Sequence, residues 1–163
     1  MSLSRKNVKM GELIITDNPE DLSLLGLGSC IGLIVYDSNY KLFAVAHTML
    51  PEIHAYKDRP GIFDPTVPAK YTDVAVKLIV KKFRDNGIGN GNLRAKLVGG
   101  GQIFERDIIR VGEKNIASVK NELQEEGVKI ESELVGGNQG VSVLHIKKNG
   151  KIDVKKDGKI VEI

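Results

Sequence analysis

Ile31-Gly32-Leu33-Ile34-Val35-Tyr36-Asp37-Ser38-Asn39-Tyr40-Lys41-Leu42-Phe43-Ala44-Val45-Ala46-His47-Thr48 decides the fold. Two runs rich in β-branched, aromatic and aliphatic residues flank a short polar break, so 31–37 and 41–48 read as buried strands and Ser38-Asn39 as their turn. A hairpin turning at 38–40 pairs positions whose numbers sum to about 78. Position 30 then lies opposite about 48, which brings His47 beside Cys30.

Working outward, Glu12-Leu13-Ile14-Ile15-Thr16 reads as a short strand and 17–21 as a turn cluster. An apolar stretch, Leu22-Ser23-Leu24-Leu25, runs into Gly26-Leu27-Gly28-Ser29-Cys30. Residues 51–68 hold Pro51, Pro60, Pro65 and Pro68 and no periodicity, the marks of a long irregular loop. From 69 to 86 the period becomes helical, with Tyr71, Val74, Ala75, Leu78, Ile79 and Phe83 on one face and Gly87 at the C-cap position. Residues 86–92 form a connector, 93–98 a strand ended by Gly99-Gly100-Gly101, 113–126 a second helix using Ile116, Val119 and Leu123, and 128–135 another strand. Asn149-Gly150 and Asp157-Gly158 suit two-residue type I′ turns, so 141–148, 151–156 and 159–163 form an antiparallel meander. The expectation is an α+β fold in one domain over 1–163, with mixed sheets, two main helices and residues 1–9 disordered or partly tag-derived.

The 24 Lys plus Arg exceed the 21 Asp plus Glu by only three, weak grounds for a nucleic-acid partner. Lys147, Lys148, Lys151, Lys155, Lys156 and Lys159 suit a solvated strand edge. No apolar run reaches the roughly 18 residues of a membrane span, and the start lacks an apolar signal region. A single cysteine excludes an internal disulfide and a Cys-rich metal site. These features suit the cytoplasm. Gly26-Leu27-Gly28 is followed by Ile31 where a dinucleotide loop needs its third glycine, and Gly99-Gly100-Gly101-Gln102 lacks a phosphate-loop lysine. His54 and His145 read as surface or structural. No cofactor or metal is expected.

Cys30 follows a glycine-rich turn at a strand start, where a thiol and convergent backbone N–H groups would suit an oxyanion site. The same position suits a small buried hydrophobe. His47 as its neighbour would take the thiol proton, and the imidazolium would lower the thiol pKa; a hydrogen-bonded core histidine has the same signature.

Leu25-Gly26-Leu27-Gly28-Ser29-Cys30, Ala46-His47-Thr48-Met49-Leu50-Pro51, Lys70-Tyr71, Lys96-Leu97-Val98-Gly99-Gly100-Gly101, Val111-Gly112-Glu113-Lys114-Asn115 and Val135-Gly136-Gly137 resemble, in order, the CheD family of chemoreceptor glutamine deamidases. The resemblance implies a layered α/β/β fold similar to the catalytic domain of cytotoxic necrotizing factor toxins. It implies Cys30 as nucleophile, His47 as general base and acid, and a thioester intermediate. The backbone N–H groups of Ser29 and Cys30 would hold the oxyanion. The implied partners are the cytoplasmic helices of methyl-accepting chemotaxis receptors, the substrate, and a CheC-type phosphatase of CheY, which Gln102, Ile103 and Phe104 would meet. Two departures stand out. Leu24 occupies the place of a family threonine that orients the histidine; the adjacent Ser23 points to the other face of its strand, leaving Thr48 or a backbone carbonyl for that role. Val141 follows Gly140 where the family carries arginine. With Leu24 there, a binding module that engages CheC-type or receptor partners with weak or no catalysis is the alternative.

Overall fold

Side-chain parity along the hairpin sorts the molecule into layers. In the computed structural model, which describes residues 4–56, 66–102 and 110–163, the hairpin strands are β4 (Ile31–Asp37) and β5 (Phe43–Thr48). Both are buried on both faces, as the lack of polar alternation in their sequences requires. Ile31, Leu33, Val35, Ala44 and Ala46 point to one face; Ile34, Tyr36, Phe43 and Val45 point to the other.

The first face carries the two helices, α1 (Thr72–Asp85) and α2 (Val111–Glu125). Val76, Ile79, Val80 and Phe83 of α1 and Val119 and Leu123 of α2 close that core. Each helix ends as its glycine suggests: Ile88 N–H donates to the Phe83 carbonyl and Val128 N–H to the Leu123 carbonyl, both at 2.9 Å, the six-to-one bond of a Schellman cap.

The hairpin lies inside a five-stranded sheet. Its order is β2 (Leu13–Thr16), β5, β4, β6 (Leu93–Gly99), β7 (Lys129–Val135), with β6 and β7 parallel across α2. The second face packs on another five-stranded sheet, in the order β1 (Lys6–Asn7), β3 (Leu22–Leu27), β8 (Val141–Ile146), β9 (Ile152–Lys156), β10 (Lys159–Glu162). Leu22, Leu24, Leu27, Val141, Val143, Ile146, Ile152 and Val154 from this sheet form the second core. The fold is a mixed α/β arrangement layered α/β/β, as the resemblance implies. Burying each large aliphatic or aromatic side chain contributes roughly 1.5–3 kcal/mol, and two cores share the central sheet.

Four details differ from the sequence reading. Residues 22–27 form strand β3 rather than an unassigned apolar stretch. Lys6–Asn7 pairs with it in parallel and Val8 is fully buried, a strand the sequence reading did not assign. The hairpin register sums to 79, with Ile31 opposite Thr48 and Gly32 opposite His47. The loop is wider because Tyr40 takes a left-handed φ of 54° and the Asp37 carboxylate accepts the N–H groups of Asn39, Lys41 and Leu42. Of the two glycine turns in the tail, Asp157-Gly158 has both φ values positive, as type I′ requires. At the other, only Gly150 is positive, and its N–H closes on the Lys147 carbonyl at 2.9 Å. That is a type I turn followed by a left-handed glycine. A Cβ at Gly150 would meet the Tyr36 ring at 2.9 Å.

Candidate active site

Parity and register together locate Cys30 and His47. His47 shares the odd-numbered face of β5 with Phe43 and Val45, so it points into the space between the sheets. Cys30 is in phase with Gly32 and Ile34 and packs against the same core, half-buried. With Gly32 directly opposite His47, Cys30 is the diagonal neighbour of His47, a relation that separates Cα atoms by roughly 7–8 Å and keeps side chains within reach. Gly32 lets two leucines close over it on this face: a Cβ there would lie 2.9 Å from the terminal methyls of both Leu24 and Leu27.

His47 is 4% exposed, and its Nδ1 lies 3.0 Å from the Val8 carbonyl. A carbonyl only accepts, so Nδ1 carries the proton and donates. Nε2 therefore keeps its lone pair, and it has no partner among the described residues. Burial pulls the imidazole pKa below its ordinary value, against a smaller upward pull from the Val8 hydrogen bond. The ring is thus neutral at neutral pH, with the base-competent nitrogen free. Burial pushes the Cys30 thiol up, so the resting pair is thiol plus neutral imidazole. The lowered thiol pKa expected from an imidazolium neighbour is not the resting condition.

The chain around Cys30 is held by its carbonyls. Gly28 O accepts from Gly101 N–H at 2.8 Å, Cys30 O accepts from Gly100 N–H at 2.8 Å, and Ser29 O accepts from the Asn115 side chain at 2.8 Å. The neighbouring glycines permit this close backbone packing. A Cβ on Gly99 would run into the Cys30 carbonyl, and one on Gly112, in the first turn of α2, would sit 2.5 Å from the carbonyl oxygens of Gly100 and Gly101. Among the described residues, no carbonyl engages the N–H of Ser29 or Cys30.

The other sequence-predicted positions fall as follows. Thr48 is fully buried, but on the helix side of β5, and its Oγ1 is unpartnered among the described residues. Strand alternation turns it away from His47, so the orienting contact is the Val8 carbonyl instead. Ser23 Oγ reaches the Lys6 carbonyl at 3.5 Å. Leu24 is fully buried over Gly32, and Val141 is a core residue opposite Leu27. Gln102 is half-buried and its N–H donates to the Gly137 carbonyl at 2.8 Å; Ile103 and Phe104 lie outside the described residues. His54 is exposed, and His145 Nε2 lies 3.1 Å from a Glu20 carboxylate oxygen. Among the described residues, no three of His, Cys, Asp and Glu gather as metal ligands. A cleft of about 440 Å³ is lined by Pro51, Glu52, Lys114, Ala117, Ser118 and Asn121; neither Cys30 nor His47 belongs to its walls.

Two contributors escaped the sequence reading. Val8 acts through its carbonyl, which no side-chain pattern marks. Asn115 does leave a signal: with Ser118 and Glu122 it makes a polar stripe at helical spacing, all three buried. Ser118 Oγ bonds Thr72 Oγ1, which also donates to the Pro51 carbonyl, and Glu122 pairs with Lys77.

A family model described as CheD chemotactic sensory transduction matches residues 49–156. The chain belongs to the CheD family. The chemoreceptor glutamine deamidase CheD of Thermotoga maritima is 36% identical over 154 residues, covering 94% of this chain and 93% of that protein. A probable chemoreceptor glutamine deamidase, CheD 1 of Methanosarcina acetivorans, is 36% identical over 148 residues, covering 91% and 89%. The CheD family model starts two residues after His47, whereas these relatives align over more than nine-tenths of the chain. A solved structure, the hypothetical protein YfiH of Bacillus licheniformis, superposes with a TM-score of 0.44 at 14% identity over 75% of this chain and 49% of its own, a likeness that carries no argument about function.

Proposed function

We propose that this CheD-family chain deamidates glutamine side chains of chemoreceptors, with Cys30 as nucleophile and His47 as the proton carrier. The carrying observation is the state of His47: Nδ1–H spent on Val8 O, Nε2 free, and the ring on the same inter-sheet face as the thiol. His47 Nε2 takes the thiol proton as Sγ attacks the carboxamide carbon. The tetrahedral oxyanion rests on the N–H groups of Ser29 and Cys30. His47 returns the proton to the departing nitrogen, ammonia leaves, and a thioester remains. Water, deprotonated by His47, hydrolyses the thioester to a glutamate side chain and restores the thiol. With both groups neutral at rest, proton transfer accompanies attack rather than preceding it. The reaction class is cysteine-dependent C–N hydrolysis without a cofactor.

On this reading the substrate side chains belong to cytoplasmic receptor helices and the protein works in the cytoplasm. The test is mass spectrometry of a receptor cytoplasmic fragment, read together with ammonia release. Wild type converts specific glutamines to glutamate, and Cys30→Ala stays folded and converts none. Conversion by Cys30→Ala at the wild-type rate sinks the mechanism.

A CheC-type phosphatase is proposed as a second partner, on the resemblance alone, through the segment that begins at Gln102. Titration of labelled CheC against Phe104→Ala tests it: unchanged affinity removes Phe104 from the interface.

A further inference from the structure

Asn115 is fully buried on α2, far from the thiol in sequence, yet both its amide protons serve the loop and strand that carry the site. Nδ2 donates to Ser29 O at 2.8 Å and to Met49 O at 2.9 Å. Two carbonyl acceptors fix which end of the amide is nitrogen, because a flipped oxygen would face two oxygens. Oδ1 is then left buried without a partner among the described residues, which costs stability. An apolar residue here would take these donors from the Ser29 and Met49 carbonyls, so the amide holds two separate segments in place. The retained donors have a job.

The peptide plane says which. The Ser29 carbonyl and the Cys30 N–H belong to one planar unit and, in a trans peptide, point in opposite directions; the described chain holds no cis bond. Gripping Ser29 O from the α2 side therefore aims the Cys30 N–H the other way. The preceding unit is gripped likewise, since Gly101 N–H on Gly28 O fixes the direction of the Ser29 N–H. A hydrogen bond to the carbonyl also polarises its own N–H.

We propose that Asn115 is a positioning residue that aims the Cys30 N–H at the oxyanion and, through Met49 O, ties that aim to the end of the strand bearing His47. The inference rests on the deamidation reading. It implies that Asn115 matters for attack on a carbonyl, which builds an oxyanion, and not for alkylation of the thiol, which builds none.

The experiment compares Asn115→Ala and the isosteric Asn115→Asp with wild type in two reactions. Deamidation of the receptor fragment loses about 10²-fold in kcat with KM nearly unchanged, the size of effect expected for one oxyanion donor. Alkylation by iodoacetamide, followed against pH, stays within about twofold at every pH. A kcat within about twofold of wild type, or alkylation falling in step with kcat, overturns the proposal. If neither variant folds, the unaltered chain decides: a glutaminyl peptide aldehyde forms a hemithioacetal at Cys30, and the Cys30 amide proton must move downfield in the ¹⁵N-resolved NMR spectrum. An unmoved resonance overturns the proposal equally. Failure of the underlying reading looks different, because Cys30→Ala would then deamidate as wild type does.

Discussion

The central sheet carries buried polar groups at both of its ends, and the ends treat them differently. At the far end the Tyr36 hydroxyl donates to the Glu131 carboxylate, while its ring stacks on Tyr40 at 5.6 Å and leans on Phe43 at 5.5 Å. Lys96 is buried beside that pair, its pKa lowered by burial and partly restored by the charges of Glu131 and Glu162. Tyr36 is thus hydrogen-bonded and Lys96 has carboxylate charges near it, while Ser132 Oγ, on the residue opposite Lys96, has no partner among the described residues. At the near end the ledger is left open. Among the described residues, four buried side-chain atoms lack a partner: His47 Nε2, Thr48 Oγ1, Asn115 Oδ1 and Ser132 Oγ. Three of those four belong to the immediate surroundings of the Cys30 and His47 strand ends. Folding alone tends to satisfy buried polar atoms, and three unsatisfied groups gathered in one place support the proposal that puts the chemistry at this end.

The largest expected effect breaks the near end. His47→Gln removes the free base and lowers deamidation by about 10²–10⁴-fold, read as ammonia release. The same residue sets a pH signature. Burial holds its folded pKa below the ordinary 6.5, so the base stays available in acid and activity falls only as pH drops through that lowered value. Stability follows the same sign: between 6.5 and the lowered value the unfolded chain binds more protons than the folded one, so the melting temperature falls as pH drops through that window. The melting temperature of His47→Gln loses this dependence; an unchanged acid slope in the variant assigns the slope elsewhere. Next in size is Gly32→Ala, whose methyl meets Leu24 and Leu27 at 2.9 Å. Overpacking of this kind costs about 1–3 kcal/mol, and the leucines it displaces share a core with Cys30. Urea denaturation and the deamidation assay should fall together; a stability loss with full activity shows that this leucine packing is not needed for chemistry. The smallest effect sharpens the other side. Tyr36→Phe gives up the bond to Glu131, at about 1 kcal/mol, and leaves deamidation at the wild-type rate. Loss of activity there erases the distinction between the ends.

Much of this was legible in particular residues. The two apolar, β-branched runs on either side of Ser38-Asn39 identified the hairpin, and its turn put His47 beside Cys30; that the two share one face follows only from the observed register, with Gly32 opposite His47. The register slipped by one because Asp37 caps a wider loop with Tyr40 left-handed, a choice made by one side chain rather than by hydrophobic pattern. Strand β3 was missed because its alternation is broken at Leu25 and Gly26, both exposed. The contacts that set up the site were harder still. Val8 O reaches His47 across 39 positions and Asn115 reaches Ser29 across 86. Such bonds follow from topology, and topology from the sum of two cores, so no local window contains them. Thr48 illustrates the converse: adjacency in sequence placed it next to His47, and strand geometry turned it to the opposite side.

The contact between Val8 and His47 also bears on inheritance. An atom common to every residue type holds the imidazole, so a point substitution at position 8 changes a side chain without deleting the acceptor. A threonine hydroxyl in that office would be lost by one codon change. With a main-chain oxygen in this place, position 24 can hold leucine, and the contact depends instead on the parallel pairing of Lys6-Asn7 with Leu22-Ser23, a property of the early chain as a whole.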